Sequence, residues 1–167
     1  MSRLRKAAIA ILSVMVVLGI AGGVGFWQYH KQPRFCGTCH IIQPYVESWE
    51  SPPFLDYLHA QQGVTCLQCH EATLKQQLRE IVLTVTGDYE DPLRQRRFDR
   101  EWCLRCHEHG SYQEVIEMTE DLEPNPHIAH TGELECQVCH KEHAPSEYYC
   151  SQCHVLTGAG PEWTLAE

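Results

Sequence analysis

The chain has 167 residues with 22 acidic and 13 basic side chains, a formal charge of −9, and 43% apolar content. That length bounds it to about one domain, the acidic balance argues against nucleic acid as a partner, and the apolar content excludes a disordered chain. Ten cysteines and eleven histidines are out of proportion for this size and ask for a reading in which thiol and imidazole act together.

Arg3, Arg5 and Lys6 precede an uncharged run from Ala7 to Phe26, closed by Trp27 and Tyr29. At about 1.5 Å per residue this run spans about 30 Å, the hydrocarbon thickness of a bilayer. Residues 1–29 are therefore expected to be a cytoplasmic basic tip and a single-pass transmembrane anchor. The positive-inside rule sends residues 30–167 to the periplasmic side of a bacterial inner membrane. The exported part then keeps 10 basic against 22 acidic residues. A cleavable signal peptide is the alternative, with small residues at Gly19, Ala21, Gly22 and Gly23, although the apolar core exceeds the usual length of about 7–15 residues. Gly19 and Gly23 also form a GxxxG pair that would pack two anchors into a homo-oligomer, but glycines are common in membrane helices anyway.

Beyond the anchor one pattern recurs five times and uses every cysteine: Cys36 and Cys39 before His40, Cys66 and Cys69 before His70, Cys103 and Cys106 before His107, Cys136 and Cys139 before His140, and Cys150 and Cys153 before His154. At this histidine content the chance that all five second cysteines precede a histidine is on the order of 10⁻⁶, so the spacing is the signal. Two thiols two residues apart can add across the vinyl groups of one haem, with the adjacent histidine held beneath the iron. Zinc sites also use CxxC pairs, but five cannot be matched two by two and zinc gives no cause for the following histidine. Disulfides fail for the same reason. The expected cofactors are five covalent c-type haems.

Six histidines remain for the second axial position: His30, His59, His109, His127, His130 and His143. His127, His130 and His143 flank the fourth motif and, with His59 just ahead of the second, are the expected distal ligands. His109 lies two residues from a proximal ligand and would have to serve another haem. His30 sits at the membrane surface, able to reach the first haem or to do nothing. Iron with two histidine ligands carries electrons rather than substrates.

The expected fold is a multihaem cytochrome c: one N-terminal transmembrane helix, then a small, mainly α-helical and coil domain organised around five haems, which stand in for the core a chain this short cannot assemble. Helices are expected around Pro44 to Trp49, over Leu74 to Thr86 and over Tyr112 to Glu120. Leu74, Leu78, Ile81, Val82 and Val85 fall on one helical face opposite Lys75, Gln76, Gln77, Arg79 and Glu80; that stripe would lie on the bilayer surface or pack on a haem.

Cys36 through His70, with Pro44, Trp49, His59, Gly63 and Val64 between the two motifs, resembles the start of the NapC/NirT family, which includes the NrfH-type subunits. Arg96, Arg97 and Cys103 to His107 are similar to that family's third haem region. Asn125, Pro126, His127, His130, Cys136 to His143, Ser146 and Cys150 to His154 resemble the haem domains of flavocytochrome c fumarate reductases and tetrahaem cytochromes. The periplasmic domain thus divides into a NapC-like half, 30–100, and a tetrahaem-cytochrome-like half, 101–167.

The first resemblance implies oxidation of quinol, menaquinol among them, beside the first haem, and delivery of electrons to a periplasmic reductase or cytochrome. It also implies a Lys and an Asp after the second haem, loosely matched by Lys75 and Asp88, so that Asp88 becomes a candidate proton acceptor; the alternative is a solvated acidic turn with Glu90 and Asp91. The chain departs from the family in encoding five haems where four are usual. It also has Ile42 where a Met often ligates the first iron, leaving that iron five-coordinate or ligated by His30 or another group.

Three roles follow. The first is a quinol-oxidising electron-transfer subunit. The second is a haem wire inside a larger membrane complex or cytochrome assembly, fed by another protein. The third is a reductase of a small oxyanion, against which stands the lack of a CxxCK motif. The acidic domain favours docking on a basic partner surface, weakening with salt.

Overall fold

In a computed structural model of the chain, residues 2–107, 110–155 and 163–166 are described. In chain order the elements are α1 (Arg3–Tyr29), α2 (Pro33–Cys36), α3 (Gln43–Glu50), α4 (Leu55–Gln61), α5 (Cys66–Cys69), α6 (Leu74–Thr86), α7 (Arg100–Leu104) and α8 (Tyr112–Met118), then two short strands, β1 (Ser146–Tyr148) and β2 (Trp163–Leu165). Turns of 3-10 helix cover Cys136–Val138 and Tyr149–Gln152. The chain divides into two compact units, one made of Met1–Val46 with Gly63–Tyr89 and the other of Glu47–Gln62 with Glu90–Glu167.

In the first unit, α1 begins where the Ser2 side chain accepts from the Arg5 N–H and runs for 27 residues with a mean hydropathy of 2.5 over its most apolar stretch and none of that stretch buried. It is long and apolar enough to cross a membrane, a test that an export signal passes equally. Helix α6 starts in a capping box, with Gln76 Oε1 accepting from the Thr73 N–H at 2.7 Å and the Thr73 hydroxyl accepting from the Gln76 N–H. It stops at Gly87, whose φ of 75° suits a residue without a side chain, as Asp88 N–H donates back to the Leu83 carbonyl at 2.9 Å. Its boundaries are those expected from the sequence because both signals are local. Its apolar stripe is exposed at Leu74, Leu78, Ile81, Val82 and Val85.

In the second unit, α7 is tied to the 3-10 turn at Cys136–Val138. Gln137 Oε1 accepts from Phe98 N–H at 2.7 Å, Glu135 Oε2 accepts from Arg100 N–H at 2.6 Å, and the Arg100 guanidinium pairs with Glu133 at 2.9 Å while lying over the Tyr112 ring. Helix α8 ends at Met118, two residues before the expected limit. Asn125 Nδ2 donates to the Ile116 carbonyl at 2.9 Å, so one of its last acceptors is satisfied by a side chain. Strands β1 and β2 pair in parallel, Ser146 opposite Trp163. Three residues are too few for a period-two pattern, so the sequence carries no strand signal here.

Among the described residues the buried apolar side chains are Val46 and Leu104. Two such side chains cannot supply the apolar burial that a domain of this size needs. The fold therefore fits a chain whose interior is completed by bound groups.

Candidate functional site

Each CxxCH motif sits on one tight turn. The histidine N–H donates to the first cysteine's carbonyl in four of them, from His70 to Cys66 at 2.8 Å, His107 to Cys103 at 3.2 Å, His140 to Cys136 at 2.9 Å and His154 to Cys150 at 2.9 Å. In the first motif Cys39 N–H donates to the Cys36 carbonyl at 3.3 Å. Positions three and four apart share a helix face, so the turn brings both thiols and the imidazole to one side, as one haem requires. The turns are built locally: Pro33 opens α2, and Thr65 and Gln68 form a capping box on α5. The ten cysteines form no disulfide with one another.

Motifs also abut. The Cys66 thiol hydrogen-bonds Cys36 and draws it down to about 7, and Cys103 does the same to Cys136, likewise to about 7. Within the first unit the first and second motifs are therefore neighbours, and within the second unit so are the third and fourth.

Three of the motif histidines each face a second imidazole. His59 and His107 have ring centroids 6.0 Å apart, His127 and His140 6.3 Å, and His130 and His154 6.0 Å. Two metal–nitrogen bonds of about 2 Å, plus the step from each nitrogen to its ring centre, put two imidazoles on opposite sides of one iron about 6 Å apart. The donor set fits haem iron. His59, His127 and His130, singled out from the sequence, are thus brought to the third, fourth and fifth motifs respectively.

Three of the candidate distal histidines, His59, His127 and His143, are oriented through Nδ1. His59 Nδ1 donates to the Leu55 carbonyl at 3.0 Å, one turn back on α4. His127 Nδ1 donates to the Thr119 hydroxyl at 2.9 Å, which in turn donates to Asn125 Oδ1. His143 Nδ1 donates to Asp56 Oδ2 at 2.7 Å, with the Ser48 hydroxyl at 3.0 Å. Fixing the proton on Nδ1 leaves the Nε2 lone pair for a metal. Burial pushes His140 below its usual value, helped by the neighbouring His127, His107 and His59, and burial does the same to His127; neutral imidazole is the ligating form.

The remaining candidates are placed differently. His30 is buried, with Nδ1 donating to the Trp27 carbonyl at 2.6 Å and its ring among Phe26, Trp27 and Phe35. His109 lies outside the described residues. Asp88 is exposed in the turn after α6. His40 Nε2 faces the hydroxyl of Tyr89 at 3.2 Å. Tyr89, Asp56, Ser48, Thr119 and Asn125 escape sequence reasoning. Asn125 two residues before His127 is the one local signal among them, since Asn side chains commonly bond the backbone two residues on, as Asn125 Oδ1 does in accepting from His127 N–H at 2.9 Å.

The sequence profile of the family described as cytochrome c3 matches residues 58–155, which take in His59 and the last four motifs. The chain is 36% identical over 197 aligned positions, 99% of its own length and 90% of the relative's, to the cytochrome c-type protein Cgr1 of Eggerthella lenta. It is 29% identical over 102 positions, 61% of its own length, to the probable fumarate reductase Ifc3 of Shewanella frigidimarina, of which it spans 14%. No solved structure matches.

Proposed function

This chain belongs to the cytochrome c3 family of multihaem c-type cytochromes, and on that premise we propose that it is a membrane-anchored five-haem carrier taking electrons from the quinol pool to an extracytoplasmic redox partner. Bound haem supplies reversible one-electron iron chemistry. Cys36 with Cys39, Cys66 with Cys69, Cys103 with Cys106, Cys136 with Cys139 and Cys150 with Cys153 would hold the five groups, and His40, His70, His107, His140 and His154 would ligate their irons.

The observation that carries the reading is the set of three imidazole pairs at 6.0–6.3 Å. Imidazoles paired in this way would leave a bound iron no position for a substrate and little rearrangement on reduction, which suits electron carriage. Helix α1 is retained as an anchor in this reading. The unit that contains it also contains the first motif, α6 and Asp88. That composition supports a quinol site at the first haem, with Asp88 as the proton acceptor, in keeping with the NapC/NirT likeness of residues 36–70. The name of the Shewanella relative supports a terminal reductase, of fumarate or a similar small acceptor, as the kind of partner served.

The test is anaerobic reduction of the purified full chain in detergent by a menaquinol analogue. Stoichiometric development of the reduced haem bands supports the reading. Reduction only by a protein donor assigns the chain instead to a haem wire within a larger complex.

A further inference from the structure

We infer that Tyr89 supplies the sixth ligand of the first haem, its phenolic oxygen bound to the iron opposite His40. This rests on the reading that Cys36 and Cys39 carry a haem. His107, His140 and His154 each face a second imidazole, whereas His40 faces a phenol. The Tyr89 hydroxyl lies 3.2 Å from His40 Nε2, the atom that takes the iron, and the two rings are 6.2 Å apart at 67°. The inclination turns the oxygen, rather than the ring face, toward Nε2.

Two metal bonds of about 2 Å need roughly 4 Å between donor atoms, so the hydroxyl must withdraw by about 1 Å to admit the metal. Tyr89 occupies a bend two residues past the left-handed Gly87, where a side-chain rotation suffices. The helix before it fixes its place. Helix α6 starts four residues after His70, is capped at both ends, and returns the chain to the first motif, whose Cys36 already touches Cys66 of the second.

Tyrosine is an established type of axial haem ligand. Binding as phenolate releases the phenolic proton to solvent, which reaches this half-exposed side chain. A hard anionic oxygen stabilises ferric over ferrous iron, so the first haem is set apart from the imidazole-paired ones in spin and in potential. The position also explains how Ile42 is tolerated near the first motif: the sixth ligand comes from the far end of α6 rather than from the residues after His40.

The test uses the full-length haem-loaded protein in detergent, with haem content per chain determined by mass, and compares wild type, Tyr89→Phe, Tyr89→His and His30→Ala by resonance Raman and low-temperature EPR. The wild type should show a phenolate-to-iron charge-transfer signature. Tyr89→Phe should lose it while five haems stay attached and the first iron stays high-spin, Tyr89→His should convert that iron to low-spin bis-histidine iron, and His30→Ala should leave the signature intact. Five haems with a Tyr89→Phe spectrum superimposable on the wild type overturns the ligand assignment while leaving the five-haem reading standing. Freeing of the first iron by His30→Ala instead overturns it equally. Absence of haem on Cys36 and Cys39 overturns both.

Discussion

His143 donates its Nδ1 proton to Oδ2 of Asp56 at 2.7 Å, across 87 residues of chain. Asp56 is 7% exposed, and it also accepts from the Ser48 hydroxyl and, through Oδ1, from the Tyr57 N–H at 3.0 Å. A buried carboxylate on the far nitrogen holds the imidazole in one tautomer and raises its basicity toward a metal on Nε2. Asp56→Asn keeps the shape and removes the charge, so one haem midpoint should move to more positive potential while the rest stay in place, read by spectroelectrochemical titration. Asp56→Ala strands the donors and should destabilise the domain by about 1–3 kcal/mol. An unchanged titration in Asp56→Asn would show that His143 is not an iron ligand.

The imidazole pairings can be assigned one by one. His59→Ala should leave five attached haems and convert one equivalent to high-spin iron. Combining it with Cys103→Ala and Cys106→Ala, which delete the third haem, should abolish that new signal, because both changes act on the same iron. The same logic joins His127 to the fourth motif and His130 to the fifth. A high-spin signal that survives deletion of the facing motif refutes that pair.

Asn125 is the hub of the α8 end. It donates to the Ile116 carbonyl at 2.9 Å and accepts from Thr119 and from the His127 N–H, both at 2.9 Å. Asn125→Ala should cost about 1–3 kcal/mol through the groups left unpaired and loosen His127, giving a denaturant midpoint lower than wild type and partial loss of low-spin character at the fourth haem. Thr119→Val removes the hydroxyl that accepts from His127 Nδ1 but leaves Asn125 on the helix end, and should shift the spectrum more than the midpoint.

Removal of residues 1–29 tests the anchor. The truncated protein, exported behind a cleavable leader, should be soluble without detergent and keep five haems reducible by dithionite, yet lose most of its reduction by a membrane-embedded quinol. An intact mass of the native protein that lacks residues 1–29 would instead make that helix an export signal.

The turns that carry the five CxxCH motifs were legible in the residues alone because everything they need is local. Thiols at i and i+3 and an imidazole at i+4 share a face whichever turn carries them, and the structure builds that turn from α-helix in some motifs and 3-10 helix in others. Helix α6 was legible from the period of its apolar stripe, and the capping box at Thr73 and the stop at Gly87, both local, set its ends. The partnership of His59 with His107, His127 with His140 or Asp56 with His143 was not. Many histidines offer the same chemistry to every iron, and only the long-range path of the chain decides which imidazole arrives where. Tyr89 shows the limit most clearly: nothing in its neighbours marks it, and it is singled out only because a capped helix returns it to a histidine 49 positions earlier.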